Sequence, residues 1–244
     1  MKKPTYQNHE WYIRAGWSDQ PKERFKACLD IIQKQNVSPN CRILDVGCAT
    51  GEFLGYLRRS IPGAWLVGVD YAEDLLTVAR QMLPDVEFRF ASALELPDEY
   101  NESFDVVTSI GCISIFDEQE VALYWKNLVG ACKPGGTVVV LGPLNEHGVD
   151  VMTRHRKRMP GREPKWETGW NIHSIDTVRE VVSDLGYEVT IMPFRIPFSI
   201  ARDEDPVRTW TERFGSNDFQ LTNGLKLLID HYFVIVEKKS SQPN

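Results

Sequence analysis

The sequence predicts an α/β domain wound on both faces of a mostly parallel, seven-stranded sheet. Three observations predict it. Short runs rich in β-branched residues alternate five times with helical segments, the pattern of parallel strands joined by helical crossovers. Most of these runs are apolar throughout, as in strands covered on both faces rather than strands with one wet face. Finally, "LDVGCATGEF" (44–53) passes from an apolar strand end through an acid and two glycines into a helix start, the junction at which such sheets bind ligands.

The elements follow in order. "PKERFKACLDIIQKQN" (21–36) sets Phe25, Cys28, Leu29 and Ile32 at helical spacing, and its leading proline suits a helix start. "RILDVG" (42–47), "AWLVGVD" (64–70), "VEFRFA" (86–91), "FDVVTSI" (104–110) and "TVVVLGP" (137–143) are the first five strands. "EFLGYLRRS", "AEDLLTVARQML" and "EQEVALYWKNLVGAC" supply helices between them. "SIDTVREVVSDLG" (174–186) opens at a Ser174 cap and stops at Gly186. It leads into "YEVTIMPF", and "HYFVIVEK" (231–238) is the seventh strand. Residues 144–173 and 195–230 break the alternation and are expected beside the sheet as insertions forming a substrate cap. Residues 1–20 are expected to form a lid, and 239–244 a disordered tail.

Length and composition narrow the class. A chain of 244 residues fits one large α/β domain, and 28 basic against 34 acidic side chains (net charge -6) argue against a general nucleic-acid binder. The five cysteines, Cys28, Cys41, Cys48, Cys112 and Cys132, form no C-x-x-C pair and sit largely in apolar runs, as buried thiols of a reducing compartment do. The N-terminal "MKKPTYQNHEWYIRAGW" lacks the apolar core of a signal peptide and no run approaches a membrane span, so a cytoplasmic protein with no membrane association is expected.

In the opening turn the spacing is Gly47-Cys48-Ala49-Thr50-Gly51, with Asp45 two residues before the first glycine. A dinucleotide site would show G-x-G-x-x-G; the third glycine is missing, and an acid beside a pyrophosphate is unhelpful whereas beside an ammonium group it is useful. Asp70 ends the next strand nineteen residues past Gly51, where a carboxylate can take both hydroxyls of a ribose.

Together these signals resemble the class I S-adenosylmethionine-dependent methyltransferases, in particular bacterial enzymes acting on small molecules, over roughly residues 40–143. "LDVGCATG" is similar to that family's first motif, "VGVD" to its ribose-binding strand end and "LVGACKPGGTVVV" to the turn before its fifth strand. The resemblance implies a Rossmann-like sheet with the last strand antiparallel and S-adenosyl-L-methionine as cofactor, S-adenosyl-L-homocysteine being the product. It further implies that Gly47, Cys48, Ala49 and Gly51 lie against the methionine part, with Asp45 fixing the ammonium region. Asp70 would hold the ribose, Tyr71 would lie near the adenine, and Ser92 and Ala93 would border the adenine amine. Ile110 and Gly111 would offer backbone near the methionine end, and Tyr12 would touch the methionine carboxylate. Ala49 replaces the usual middle glycine, which is tolerable where the turn keeps φ negative; Ser92 stands where an aspartate is common.

Methyl transfer from a sulfonium mainly requires two aligned atoms and exclusion of water, while an alcohol acceptor also needs a base or metal. "TSIGCIS" after the fourth strand carries neither Asn-Pro-Pro-Tyr nor Asp-Pro-Pro-Tyr, and no Pro-Cys pair or carboxylate follows, so DNA and a magnesium-dependent acceptor are disfavoured and no metal is expected. "RHRKRMPGREPKW" (154–166) gathers six positive charges, either a solvated face or a grip by Arg154, Arg156, Arg158 or Arg162 on an anionic or phosphorylated acceptor. His147 and His173 are the candidate bases; His9 lies in the lid segment. Asn145 could orient an acceptor hydroxyl, and Trp166, Trp170, Phe194, Phe198 and Trp210 offer stacking faces or close a satellite core. The expected function is transfer of a methyl group to O or N of a small metabolite, a sugar, nucleotide-sugar or secondary-metabolite intermediate, by a monomer or homodimer. The competing readings are a non-catalytic S-adenosylmethionine sensor or scaffold, an RNA methyltransferase, and an NAD(P) oxidoreductase.

Overall fold

A computed structural model describes residues 12–13, 16–156, 158, 163–202, 210–215, 218–222 and 228–239. Along the chain lie α1 (Glu23–Lys34), β1 (Arg42–Val46), α2 (Glu52–Ser60), β2 (Trp65–Asp70), α3 (Glu73–Met82), β3 (Glu87–Phe90), β4 (Phe104–Ile110), α4 (Val121–Ala131) and β5 (Cys132–Asn145). There follow β6 (Arg154–His155), β7 (Glu167–Thr168), β8 (His173–Ser174), α5 (Ile175–Asp184), β9 (Thr190–Phe194), β10 (Trp210–Phe214), β11 (Asp218–Thr222) and β12 (Leu228–Glu237).

The main sheet runs β3-β2-β1-β4-β5-β12, with β9 on the far edge of β12. The pairs β1–β2, β1–β4, β2–β3 and β4–β5 are parallel, and β12 is antiparallel to both β5 and β9. These are the seven strands expected, with the last one antiparallel. The switch of direction lies between β1 and β4: the chain first winds outward from β1 to β2 and β3, then crosses to β4 on the other side. That leaves a crevice above the carboxyl ends of β1 and β4, where ligands of such sheets sit.

Two buried clusters, one to each face, hold the helices down. Phe25, Ile32, Leu54, Leu57 and Leu76 from α1, α2 and α3 pack with Ile43, Val106 and Val139. Tyr124, Trp125 and Leu128 of α4 and Val178 and Val182 of α5 pack with Leu44, Val107 and Val138. Alternate residues of one strand thus go to opposite cores, which is why the strands read as unbroken apolar runs; each fully buried aliphatic side chain contributes about 1.5–3 kcal/mol. Ser174 caps α5 as its sequence predicts, its Oγ accepting from the Thr177 N–H at 3.0 Å, and Gly186 follows the helix at φ 85°.

The insertions do not stand wholly beside the sheet. β8 adds to β5 in parallel at Leu144 and Asn145, and the hairpin β10–β11 pairs onto the start of β12, giving a sheet of ten strands among the described residues; β6 and β7 form a separate two-stranded ribbon. No helix among the described residues is long and apolar enough to cross a membrane.

Candidate active site

The turn after β1 bares its backbone through three consecutive alternate residues in left-handed conformation: Gly47 at φ 78°, Ala49 at φ 48° and Gly51 at φ 77°. The N–H groups of Gly47 and Cys48 both reach the Val69 carbonyl, at 2.9 and 3.0 Å, which fastens the turn to β2. The expectation of negative φ at Ala49 is corrected here. Its side chain sits in the region that costs a non-glycine residue about 1–2 kcal/mol, and the conformation is held by the Asp70 Oδ2 atom, which accepts the Ala49 N–H at 2.9 Å. The other Asp70 oxygen accepts the Ala72 N–H at 3.0 Å at the start of α3. Asp70 therefore shapes the glycine turn as well as facing the crevice.

Asp45, at the tip of β1, is only 3% exposed, and Thr108 of β4 donates a 2.8 Å hydrogen bond to its Oδ1. Burial first, and the neighbouring Asp70 charge as well, push its carboxyl up to about 7, against the Thr108 bond that lowers it. An acid in this state pairs with a cation only by giving up its proton, so cation binding here is linked to proton release. The thiols of Cys48 and Cys112 are raised in the same way, Cys112 to about 12, so both present a neutral, apolar wall at ordinary pH. Gly47 has no room for a side chain: a Cβ there would stand 2.9 Å from the Cys112 Sγ.

These groups surround a cavity of about 200 Å³. Of the residues the sequence assigned to a cofactor, Tyr12, Asp45, Gly47, Cys48, Ala49, Asp70, Tyr71, Ala93, Ile110 and Gly111 all line it. Two do not. Gly51 heads α2 beneath Phe88, whose ring a Cβ would meet at 3.0 Å, so it serves close packing. Ser92, 1% exposed, accepts the Leu94 N–H at 3.1 Å and shapes the turn that presents Ala93.

The residues assigned to catalysis and acceptor binding fall elsewhere. His147 is exposed in a turn closed by Asn145, whose Oδ1 accepts the His147 N–H at 3.0 Å and whose Nδ2 donates to Val149 O at 2.6 Å. His173 has no exposed surface; its Nε2 lies 3.1 Å from the Phe116 carbonyl, and burial lowers its pKa. Arg154 and Arg156 lie over the Trp166 ring, at 5.7 and 4.8 Å, and Arg158 is exposed. Trp170 stacks on His155 at 3.7 Å. Phe194 packs edge-on to Phe233, Phe198 is exposed and Arg202 covers Trp210. None of these lines the cavity. His9 and Arg162 lie outside the described residues.

A further wall consists of groups the sequence did not assign to a site: Lys22, Arg24 and Phe25 at the start of α1, Thr50 and Glu52 beside the turn, and His231 on β12. Lys22 and Glu52 form an ion pair, and Glu52 also accepts the Ser18 N–H at 3.0 Å. Trp17 ties this wall to the turn, its Nε1 donating to Thr50 O at 3.2 Å while its ring covers Gly55, where a Cβ would come within 2.6 Å. An arginine on a helix that otherwise alternates charge and apolar side chains carries no signal of its own, whereas a histidine opening an apolar strand does.

Residues 43–136 match the family model for a methyltransferase domain. Over that stretch, less than half of the chain, the sequence is that of a methyltransferase domain. The match spans the glycine turn, both acids and the turn into β5, and with them the cavity-lining residues from Asp45 to Phe116. A demethylmenaquinone methyltransferase of Thermus thermophilus is 38% identical to this methyltransferase domain over 104 residues, covering 41% of this chain and 46% of that protein. The chain thus spans less than half the length of the curated relatives it matches. Among solved structures, DhpI in complex with S-adenosylhomocysteine superposes with TM-score 0.56 at 14% identity, over 88% of this chain and 86% of that one. The Haemonchus contortus phosphoethanolamine N-methyltransferase 2, in complex with phosphomonomethylethanolamine and S-adenosylhomocysteine, superposes with TM-score 0.60 at 15% identity, over 89% and 52%. These likenesses of fold take in more of the chain than residues 43–136.

Proposed function

We propose that this protein transfers a methyl group from S-adenosylmethionine to an oxygen or nitrogen of a small metabolite. The observation that carries the reading is the pair of carboxylates, Asp45 and Asp70, at neighbouring strand tips around one cavity whose floor is bare backbone. The residues fit the cofactor: Gly47 leaves a cradle that a Cβ would fill, and Gly111, at φ 80° with no heavy atom within 4 Å of a Cβ, leaves another open approach. When bound, S-adenosylmethionine supplies a methyl group already activated by its sulfonium.

The chain's own residues align and shield. Asp45, ionised by the approach of an ammonium group, holds the amino-acid end. Asp70 offers ribose hydroxyls an oxygen that can accept further hydrogen bonds beside those from the backbone. Tyr71 and Ala93 border the adenine, and the Ile110–Gly111 backbone lies beside the methionine chain. Phe25, Phe53 and Phe116 exclude water from the transfer path. The acceptor class is drawn from sugars, nucleotide-sugars and secondary-metabolite intermediates; the quinone in the name of the curated relatives belongs to proteins that match 41–43% of this chain.

Thermal shift with S-adenosylmethionine, S-adenosylhomocysteine and NAD separates the readings, because selective binding to the native state raises Tm. Stabilisation by the first two and not by NAD is expected, followed by label transfer from methyl-labelled cofactor into a metabolite extract. Stabilisation without transfer would mark a sensor; stabilisation by NAD alone would overturn the cofactor reading.

A further inference from the structure

Two polar atoms on the further wall of the cavity are shut off from solvent and have no hydrogen-bond partner: Nε of Arg24 and Nδ1 of His231. A buried polar atom left without a partner is costly, the more so on a charged group. No acid of the wall answers them. Glu52 is the acid nearest Arg24 in effect, but its two oxygens take Lys22 and the Ser18 N–H. Asp230, next to His231 in sequence, is paired with Arg195. Among the described residues Arg24 forms no ion pair, and its positive charge bears directly on the imidazole: burial, and then Arg24, push His231 down to about 4. An imidazole beside an arginine stays neutral until an anion joins them.

Position separates His231 from the cofactor's acids. His231 stands on β12 opposite Pro143 of β5, with β4 between β5 and β1. At about 4.8 Å per strand, β12 lies roughly 14 Å from the Asp45 strand and roughly 19 Å from the Asp70 strand. A cofactor clasped on β1 and β2 reaches toward β4 with its methionine end, which leaves the wall at β5 and β12 to the second substrate.

We propose that Arg24 and His231 form an anion subsite for the methyl acceptor, so that the acceptor carries a carboxylate or phosphate close to the atom that is methylated. This rests on the methyltransferase reading above. The guanidinium supplies a planar pair of donors, and the imidazole takes up a proton as the anion binds and donates the third hydrogen bond. The subsite also fixes the acceptor's orientation, since the anion is held by Arg24 and His231 while the nucleophile faces the cofactor side.

The test uses the full chain saturated with S-adenosylhomocysteine and titrated with inorganic phosphate in one arm and acetate in the other. His231 is followed by side-chain NMR, its resonance assigned by loss in His231→Gln. Expected is a saturable shift of the His231 resonance toward the protonated position, with the preferred anion identifying phosphate or carboxylate chemistry. Arg24→Gln is expected to weaken that anion at least tenfold while S-adenosylhomocysteine affinity changes less than threefold. Arg24→Lys, which keeps the charge and loses the fork, should fall between the two. An unmoved His231 resonance in both arms overturns the proposal. So does a tenfold or greater loss of S-adenosylhomocysteine affinity in Arg24→Gln, which would put Arg24 on the cofactor's own carboxylate. Failure of the wild-type chain to bind S-adenosylhomocysteine at all would instead overturn the cofactor reading. The wild-type titration decides the matter even where a variant does not fold.

Discussion

Asp45 makes the cavity a proton-linked site. Its carboxyl titrates at about 7 in the folded chain against an ordinary 3.8, chiefly because it is buried. Between those two values the folded chain holds a proton that the unfolded chain has released, so stability falls as pH rises through this window; about three units at 1.36 kcal/mol each set the loss on the order of 4 kcal/mol. A ligand that brings an ammonium group to Asp45 reverses the sign. The bound state favours the carboxylate, so binding releases about half a proton at pH 7, and affinity falls roughly tenfold per pH unit below that. Titration calorimetry of S-adenosylhomocysteine from pH 5.5 to 8.5, in buffers of different ionisation enthalpy, reads both quantities. Asp45→Asn keeps the shape and the Thr108 contact but cannot ionise. It should flatten the pH dependence, weaken binding above pH 7 by about 10- to 100-fold for a lost charge-assisted hydrogen bond, and leave the unliganded protein more stable than wild type at pH 8. A wild-type affinity that stays level across this range, or an Asp45→Asn variant that keeps the slope, refutes the reasoning.

Three further outcomes are expected. Gly47→Ala drives a Cβ to 2.9 Å from the Cys112 Sγ at φ 78° and should lower stability by about 1–3 kcal/mol, with cofactor affinity lost in calorimetry; Gly47→Ala with Cys112→Ala should recover part of the stability but not all, since the backbone strain remains. Ala49→Gly removes the strain of φ 48° against the greater freedom of an unfolded glycine, so chemical denaturation should show a change of less than about 1 kcal/mol and cofactor binding should be kept. His147→Ala should leave folding and methyl transfer unchanged, whereas His173→Ala should lower the denaturation midpoint, by about 1–3 kcal/mol for a buried hydrogen-bonded ring, while the remaining folded enzyme keeps its kcat.

The cavity wall around the glycine turn was legible because its information is local. Asp45, Gly47 and Asp70 lie at strand ends where period, apolarity and glycine each point to the same junction, and the sheet order follows from the alternation around them. The conformation of Ala49 was not, since it is fixed by a hydrogen bond from a residue 21 positions away in the chain. His147 and His173 drew attention as histidines after a strand and before a helix, yet one turns to solvent and the other is absorbed by the Phe116 carbonyl. Arg24 escaped because nothing in its sequence surroundings marks it, and His231, although it opens an apolar strand, because only the antiparallel return of β12 beside β5 brings the two to one cavity. The β10–β11 hairpin was hidden for a similar reason, as its pairing is with a strand that reads no differently whether its edge is covered or open.

That late return has a bearing on synthesis. β5 is completed at Asn145, but the strand that covers its outer edge begins at Leu228. A nascent chain halted between those points has the outer ladder of β5 unpaired over Thr137–Leu144, a largely apolar run and an invitation to pair with another such chain. It has the glycine turn and both acids, yet no His231. Partial products of the ribosome or of a protease that cuts before residue 228 are therefore expected to aggregate and to need chaperone protection, even though most of the cofactor cradle has already been made.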